Sequence, residues 1–324
     1  MLARNRPELL NAFWALAAAR QDIFFRRLEG SPPPWTADPI LETYKFCNAY
    51  RAADRVSQYL IREVIYGGRD SYSAEDQILR IVLFRLFSRP HTWELLCSAH
   101  DDVTMDSFLA GGYGDTLDRA FESGERIYTP AFILCATPAY GYQRKHRNHL
   151  ALLTEMLRPG GLSHAVANAQ SLEALITALR EYPLIGPFMA YQIAIDINYS
   201  ELCDFDESEY TVAGPGAKRG VAKCFIDTSG STPEEIIADL TARQDEEFAR
   251  REIDFKPLFG RPLQAIDIQN LFCELDKYAR VAFPELRSNR SRIKARFRPS
   301  GELPPPVFPP KWGLEVSGSL QMKT

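Results

Sequence analysis

Apolar residues recur at spacings of three and four along most of the chain, which is the pattern of a helix with one buried face. Residues 1–30, 73–87, 172–182 and 261–280 each carry this pattern. Alternating patterns that would indicate strands are sparse. The sequence therefore predicts an all-α fold.

Helix starts are marked by side chains that can accept the first free N–H groups of a helix. Asp38 precedes Pro39, Thr232 precedes Pro233-Glu234-Glu235, and Ser73 and Ser171 each precede a helical pattern. Proline suits the first helical position, and a glutamate three residues after threonine completes a capping box. These positions predict four helix boundaries.

A short hairpin separates two predicted helices at residues 183–187. Pro183 ends the first helix, Gly186 allows a positive φ or a close backbone approach, and Pro187 opens the second helix. The first N–H groups of that second helix can bind an anion, which on DNA is a phosphate. Asp206 follows 20 residues after Gly186.

This hairpin resembles the helix-hairpin-helix of base-excision DNA glycosylases. Leu184-Ile185-Gly186-Pro187 matches the hairpin, although Leu184 replaces its first glycine, and Asp206 stands where the family carries its catalytic aspartate. The resemblance implies a two-lobed fold and a catalytic Asp206. It also implies DNA contacts from Leu184, Gly186, Phe188, Gly216, Lys218 and Arg219. The alternative is an ordinary helical hairpin with Asp206 as a solvated acid.

Glycines and basic residues follow Asp206 in the stretch Gly214-Pro215-Gly216-Ala217-Lys218-Arg219. Gly214 and Gly216 would bring the backbone close either to a packed helix or to a phosphate. Further along, six basic residues lie close together, a pattern that often contacts phosphate but also occurs in solvated arms. They are Arg287, Arg290, Arg292, Lys294, Arg296 and Arg298.

Two polar segments are candidates for the base pocket. Residues 44–55, taken as helical, are rich in Asn, Tyr, Arg and Asp and offer Asn48, Tyr50 and Arg51. This segment also looks like the helical domain joined to phage hydroxymethyluracil DNA kinases, although the chain has no GxxxxGK[ST] phosphate loop. In residues 261–280, the side chains of Asp267, Asn270 and Glu274 share one helical face. Either segment is an ordinary polar helix face or a surface that reads a base.

A narrower resemblance extends over most of the chain. WTADPILETYKFCNAYRAADR, GPGAKRG and DIQNLFCELDKYAR look like segments of glutamyl/putrescinyl-thymidine pyrophosphorylase-like proteins and of related antiphage DNA glycosylases. It implies a hypermodified pyrimidine of phage DNA as substrate, such as glucosylated hydroxymethylcytosine. Phe188 lies where lyase members carry a lysine, which implies an abasic product without strand cleavage.

The predicted function is thus that of a monofunctional DNA N-glycosylase in antiphage defence. One alternative is a base-hypermodification enzyme that acts on the 5-substituent of a pyrimidine, with Asp267, Asn270 and Glu274 as its chemical residues. Another is a non-catalytic binder of modified DNA. All three have double-stranded DNA with modified bases as partner.

Composition adds bounds to this prediction. The 324 residues carry a formal net charge of −4, so DNA binding would depend on local basic clusters. Six scattered cysteines without a CxxC predict neither zinc nor an iron–sulfur cluster, and no cofactor is expected. We expect a cytoplasmic monomer without a membrane span. Predicted parts are N-terminal helices (1–60), a glycosylase-like core (61–230), C-terminal helices (231–300) and a Pro-rich, partly disordered tail (301–324).

Overall fold

The computed structural model describes residues 4–68, 72–129, 139–286, 292–293, 295–298, 301 and 303–316. The chain forms two compact units. Unit 1 comprises Met1–Asp54, Glu207–Pro306 and Trp312–Thr324, whereas unit 2 comprises Arg55–Asp206 and Val307–Lys311. The first part of the chain and most of the last part therefore belong to one unit, and the middle part forms most of the other.

Helices account for most of the described elements, which confirms the all-α prediction. Two short strands, β1 and β2, pair antiparallel in unit 1. In chain order the elements are β1 (Arg4–Asn5), α1 (Pro7–Leu28), α2 (Pro39–Thr43), a 3-10 turn (Arg51–Ala53), α3 (Arg55–Tyr59) with a π-helical continuation (Leu60–Ile65), α4 (Ala74–Phe87), α5 (Pro90–His100), α6 (Met105–Ala110), α7 (Tyr113–Glu122), α8 (Lys145–Met156), α9 (Leu162–Asn168), α10 (Leu172–Arg180), α11 (Pro187–Asn198), α12 (Pro215–Cys224), β2 (Phe225–Asp227), α13 (Pro233–Ala242), α14 (Gln244–Arg250), α15 (Ala265–Ala282) and a 3-10 turn (Pro310–Trp312).

In unit 1, α15 is the central helix and packs against α1, α12 and α13. Its closest neighbour is α12, where two glycines face it. A Cβ on Gly220 would lie 2.2 Å from the carbonyl oxygen of Phe272, and one on Gly216 would lie 2.8 Å from Cys273 Sγ. The sequence left either a packed helix or a phosphate as the neighbour of Gly216, and in the structure this neighbour is a packed helix. Any larger residue at Gly220 would push the helices apart.

In unit 2, α4 is buried from Ile78 to Phe87, as its apolar sequence predicts. It packs on α11, where the buried carboxylate of Asp196 meets the buried guanidinium of Arg85. One arm of this ion pair joins Arg85 Nη2 to Asp196 Oδ1 at 2.7 Å. Charges this deeply buried are kept in the fold because each satisfies the other.

All four predicted caps are confirmed. Ser73 and Thr232 form capping boxes, Asp38 accepts from the N–H groups of Ile40 and Leu41, and Ser171 accepts from Ala174 N–H. These bonds join residues two or three apart, so they depend on local sequence alone. Local sequence is therefore sufficient to place these four helix starts.

The prediction of a helix over residues 44–55 is wrong. Most of this segment is an extended loop with a 3-10 turn at Arg51–Ala53. Outside this turn, side chains bond to its backbone groups: Asp54 accepts from the N–H of Asn48, and Arg20 donates to the carbonyl of Cys47.

None of the helices in the described ranges combines the length and the hydrophobicity needed to cross a bilayer. The last residues of the chain were predicted to be disordered. From residue 317 onward they lie outside the described part of the chain.

Candidate nucleic-acid interface

The loop 44–54 and helix α15 form one polar cluster in unit 1, and Asp267 is its first junction. The Asp267 carboxylate accepts from the backbone N–H of Arg51 at 2.7 Å and from that of Gln264 at 3.0 Å. One side chain thus caps the start of α15 and holds the 3-10 turn. Burial raises the pKa of Asp267 to about 6, against the opposing effect of these two N–H groups.

Glu274 is the second junction, almost two turns further along the same face of α15. Its Oε2 accepts from the backbone N–H of Cys47 at 2.9 Å and lies 2.5 Å from Lys277 Nζ. The side chain is buried. Asp267 and Glu274 therefore fasten the two ends of the same loop to one helix.

Asn48 and Asp54 close the loop on itself. The Asn48 side chain accepts from Arg20 Nη2 at 2.8 Å and donates to the carbonyl of Ala53 at 2.6 Å. The Asp54 carboxylate accepts from Asn48 N–H at 2.8 Å. Burial raises the pKa of Asp54 to about 6. Arg20, on α1, thereby connects the loop to a third element.

The two remaining predicted pocket residues lie at the borders of this cluster. Tyr50 is buried, donates its hydroxyl to the carbonyl of Arg261 at 2.6 Å and stacks on Phe255. Asn270 is half-buried and accepts from the side chain of Gln269 at 2.9 Å. The structure thus gathers all six predicted base-pocket residues in unit 1. Their hydrogen bonds run within the protein, and a contact with a base stays a prediction.

A basic edge lies beside this cluster. The described residues of the tail segment 292–298 run along residues 43–45, since Phe297 N–H donates to the carbonyl of Thr43 and Lys45 N–H donates to that of Ala295. Within this pair of segments the side chains of Lys45, Arg292, Arg296 and Arg298 are exposed. Three of the six predicted basic tail residues, at positions 287, 290 and 294, fall outside the described residues.

The predicted phosphate-binding residues of α12 have unequal surroundings. Lys218 is exposed. Arg219 donates through Nε to the buried Asp276 at 3.0 Å, and Asp276 also holds Lys223 and Arg280. Burial works against ionisation, but these cations lower the pKa of Asp276 overall. Arg219 therefore has a structural role in unit 1, whereas Lys218 faces solvent and stays the better candidate for a phosphate contact.

The predicted hairpin lies in unit 2 between α10 and α11. Leu184, and not Gly186, has the positive φ, at 67° against −75°. A Cβ on Gly186 would meet nothing within 4 Å. No described neighbour therefore requires a glycine at position 186, where the sequence allowed a positive φ or a close backbone approach. Phe188 is half-buried at the start of α11, and DNA contact by Leu184, Gly186 and Phe188 stays a prediction.

Asp206 lies in unit 2 as well, but at the other end of α11. Asn198, the last residue of α11, holds both the N–H and the carbonyl of Phe205, at 2.8 and 3.0 Å. Pro187 and Asn198 are about 16 Å apart along a helix that rises about 1.5 Å per residue. Asp206 is exposed beside that far end. The structure therefore does not bring it against the hairpin start.

The described residues of unit 1 border at least two cavities. The larger, about 690 Å³, is bordered by Arg243, Arg250 and Arg251, and all three pair with the buried carboxylate of Glu247. The smaller, about 210 Å³, is bordered by Arg20, Trp35 and Phe297 among others. Among the described residues no group of three His, Cys, Asp or Glu side chains is arranged to hold a metal ion.

The sequence interpretation missed Arg20, Trp35 and Phe297. Arg20 lies within the helical pattern of residues 1–30, and Phe297 lies inside the basic tail, so each carried another assignment. Trp35, in a loop after three prolines, was the signal that the sequence offered, because binding residues are disproportionately found on loops.

Comparison with known proteins gives a consistent family. The family model described as "5-hmdU DNA kinase, helical domain" matches residues 7–288. A 5-hmdU DNA kinase of Bacillus phage SP10 is 26% identical over 295 residues, which are 85% of this chain and 46% of that protein. The chain thus spans about half the length of this relative. No solved structure matches the chain.

These matches correct the predicted activity. The prediction of a DNA N-glycosylase, a hydrolase that releases a base, is wrong, because the matching family and relative are named as DNA kinases of a modified pyrimidine. The resemblance of residues 44–55 to the helical domain of hydroxymethyluracil DNA kinases is confirmed, whereas the assignment to the glycosylase superfamily is not supported. The alternative of a base-modification enzyme agrees better with the findings.

Proposed function

Because the chain belongs to the family of the 5-hmdU DNA kinase helical domain, we propose that it recognises 5-hydroxymethyluracil in DNA and takes part in chemistry on its 5-substituent. In this function the base stays attached to its sugar. The observation that carries the proposal is the extent of the family match, because residues 7–288 include most of both units.

The basic edge supports DNA as the partner. Lys45, Arg292, Arg296 and Arg298 are exposed along two paired segments, while the whole chain has a formal net charge of −4. Cations that are concentrated at one edge of an acidic protein bind a phosphate backbone there and release its counterions. The overall charge therefore does not oppose a local DNA contact.

The polar cluster supports recognition as the part played by this chain. A general base needs a carboxylate that can reach the substrate proton. Both oxygens of Asp267 accept backbone N–H groups, and Glu274 accepts from Cys47 N–H and pairs with Lys277. In this proposal both acids stabilise the loop next to the basic edge, and they do not attack or deprotonate the 5-substituent.

A second candidate is phosphoryl transfer to the 5-hydroxymethyl oxygen by this chain itself. The name of the Bacillus phage SP10 relative favours it. The chain has no GxxxxGK[ST] loop to cradle the phosphates of ATP, so recognition remains the first candidate.

The test uses three duplexes that differ at one position, which is 5-hydroxymethyluracil, thymine or cytosine. Fluorescence anisotropy at several salt concentrations measures binding. Each duplex is also incubated with the protein, Mg²⁺ and ATP, and mass spectrometry then identifies its nucleosides. We expect tighter binding to the hydroxymethyluracil duplex and full recovery of its nucleoside. Equal affinity for all three duplexes, or release of free base, would contradict the proposal. A phosphorylated nucleoside would establish the second candidate.

A further inference from the structure

The smaller cavity of unit 1 has the size of a single ring. Its volume is about 210 Å³, below the ~300–1,000 Å³ of pockets for drug-sized ligands. Buried Ile23 of α1 and Leu41 of α2 form its floor, and Pro33 and Pro34 contribute a further apolar wall. A nucleotide with its phosphates does not fit in this space, but one base with a small substituent does.

Two aromatic rings line this cavity and are held in place by the protein. Trp35 and Phe297 are half-buried, with ring centroids 6.2 Å apart and planes at 80°. The indole N–H of Trp35 donates to the carbonyl of Ser31 at 2.6 Å. The guanidinium of Arg27 lies 5.0 Å from the Trp35 ring and 6.0 Å from that of Phe297. Such rings offer a ready surface for a base, and stacking is worth about 1–3 kcal/mol per base.

The polar groups of the cavity match a uracil with a hydroxylated 5-substituent. The donors of Arg20 go to the loop, at Cys47 O and Asn48 Oδ1. Glu42 is exposed and brings a carboxylate, which accepts hydrogen bonds. A uracil donates from its ring N–H, and a 5-hydroxymethyl group donates from its O–H. Thymine has a methyl group at that place and lacks the second donor.

The surroundings of the cavity match DNA. Phe297 belongs to the tail segment 292–298, which pairs with residues 43–45 and carries the exposed Arg296 and Arg298. The cations of this edge attract phosphates, while Glu42 at the cavity repels them. An enzyme that handles one base of a duplex extrudes it into a pocket and holds it between apolar and aromatic side chains. Charge therefore favours the backbone at the edge and the base in the cavity.

We infer that this cavity, with Trp35, Phe297 and Glu42 as its contacts, binds one extrahelical 5-hydroxymethyluracil. The inference rests on the proposed function and names the place where the modified base is read. The loop cluster contributes through Arg20, which borders the cavity and fixes Asn48. Arg20 is thus a positioning residue, whereas Glu42 discriminates between the hydroxymethyl and the methyl group.

The test compares two variants of the full chain with wild type. Glu42→Gln removes the charged acceptor, and Trp35→Ala removes the stacking surface. Glu246→Gln, an exposed acid on α14, is the matched control for charge. Anisotropy gives the affinity ratio of hydroxymethyluracil to thymine duplexes. A 2-aminopurine beside the modified base becomes brighter when that base leaves the stack, and circular dichroism shows that each variant is folded.

Glu42→Gln should lower the hydroxymethyluracil preference roughly tenfold, the size of a hydrogen bond to a charged group, and should not weaken thymine-duplex binding. Trp35→Ala should lower affinity for the modified duplex and abolish the 2-aminopurine signal. Glu246→Gln should match wild type. If wild type prefers the modified duplex and both cavity variants keep that preference and the signal, the base binds elsewhere and only the proposed function stands. If wild type shows no preference, both are overturned.

Discussion

Removal of the Asp267 carboxylate tests whether the loop 44–54 is held by α15. Its two oxygens accept the N–H groups of Arg51 and Gln264, and all three residues are buried. Asp267→Ala leaves two buried donors without their acceptor, and each costs about 1–3 kcal/mol. We expect the free energy of unfolding to fall by about 2–6 kcal/mol.

Urea denaturation followed by circular dichroism measures this change. Asn270→Ala is the control, because Asn270 lies on the same face of α15, is half-buried and bonds to its neighbour Gln269. We expect the control to cost about 1 kcal/mol or less. A cost below about 1 kcal/mol for Asp267→Ala would refute the structural role. Asp267 would then return as a candidate for chemistry.

The pH dependence gives an independent check on the same residue. Burial raises the pKa of Asp267 to about 6 in the folded state. A raised pKa stabilises the fold below the unfolded-state pKa of ~3.9, and this contribution is lost as the pH rises through 6. One pKa unit is worth about 1.4 kcal/mol, so the loss is about 3 kcal/mol. Asp267→Asn does not titrate. The stability of wild type relative to this variant should therefore fall between pH 4 and pH 7, and a rise would contradict the assignment.

Three further predictions concern the hairpin, the core and the DNA contact. Leu184→Gly should stabilise the fold by about 1 kcal/mol because Leu184 has a φ of 67°. Gly186→Ala should leave the stability of the fold unchanged. Thermal unfolding checks both variants, and a destabilised Gly186→Ala would contradict the geometry. Asp276→Ala should lower the free energy of unfolding, measured by urea denaturation, by about 3–5 kcal/mol, because it leaves cations beside a buried site without their carboxylate. A decrease below about 1 kcal/mol would show that these ion pairs contribute nothing. Lys218→Ala should lower the salt slope of DNA binding by about one, whereas Arg219→Ala should mainly destabilise the fold; an unchanged slope for Lys218→Ala would exclude a phosphate contact there.

The predicted glycosylase activity is wrong, and it was based on a short hairpin, one spacing and the resemblance of three further segments to antiphage DNA glycosylases. A Leu-Ile-Gly-Pro hairpin followed by an aspartate is compatible with more than one family. In the structure the glycine at 186 has an ordinary φ, and Asp206 lies at the far end of α11 from the hairpin start. The family match over residues 7–288 depends on the whole chain, so it carries more weight than the motif.

The all-α class and the helix starts could be predicted from local sequence. Ser73 and Thr232 could be identified as caps because they bond to backbone only three residues away. The buried stripe of α1 could be predicted for a similar reason, since helical spacing puts Leu9, Phe13 and Leu16 on one face. Each of these features depends on residues that are close together in the chain.

The conformation of residues 44–54 and the place of the cavity depend instead on contacts between distant segments. The loop is held by Asp267 and Glu274, more than 200 residues away in sequence, and the cavity joins Trp35 to Phe297. Bonds of this kind override local helix propensity because a buried carboxylate stabilises whichever backbone N–H groups the fold brings to it. No pattern in the local sequence indicates which distant segments will come into contact.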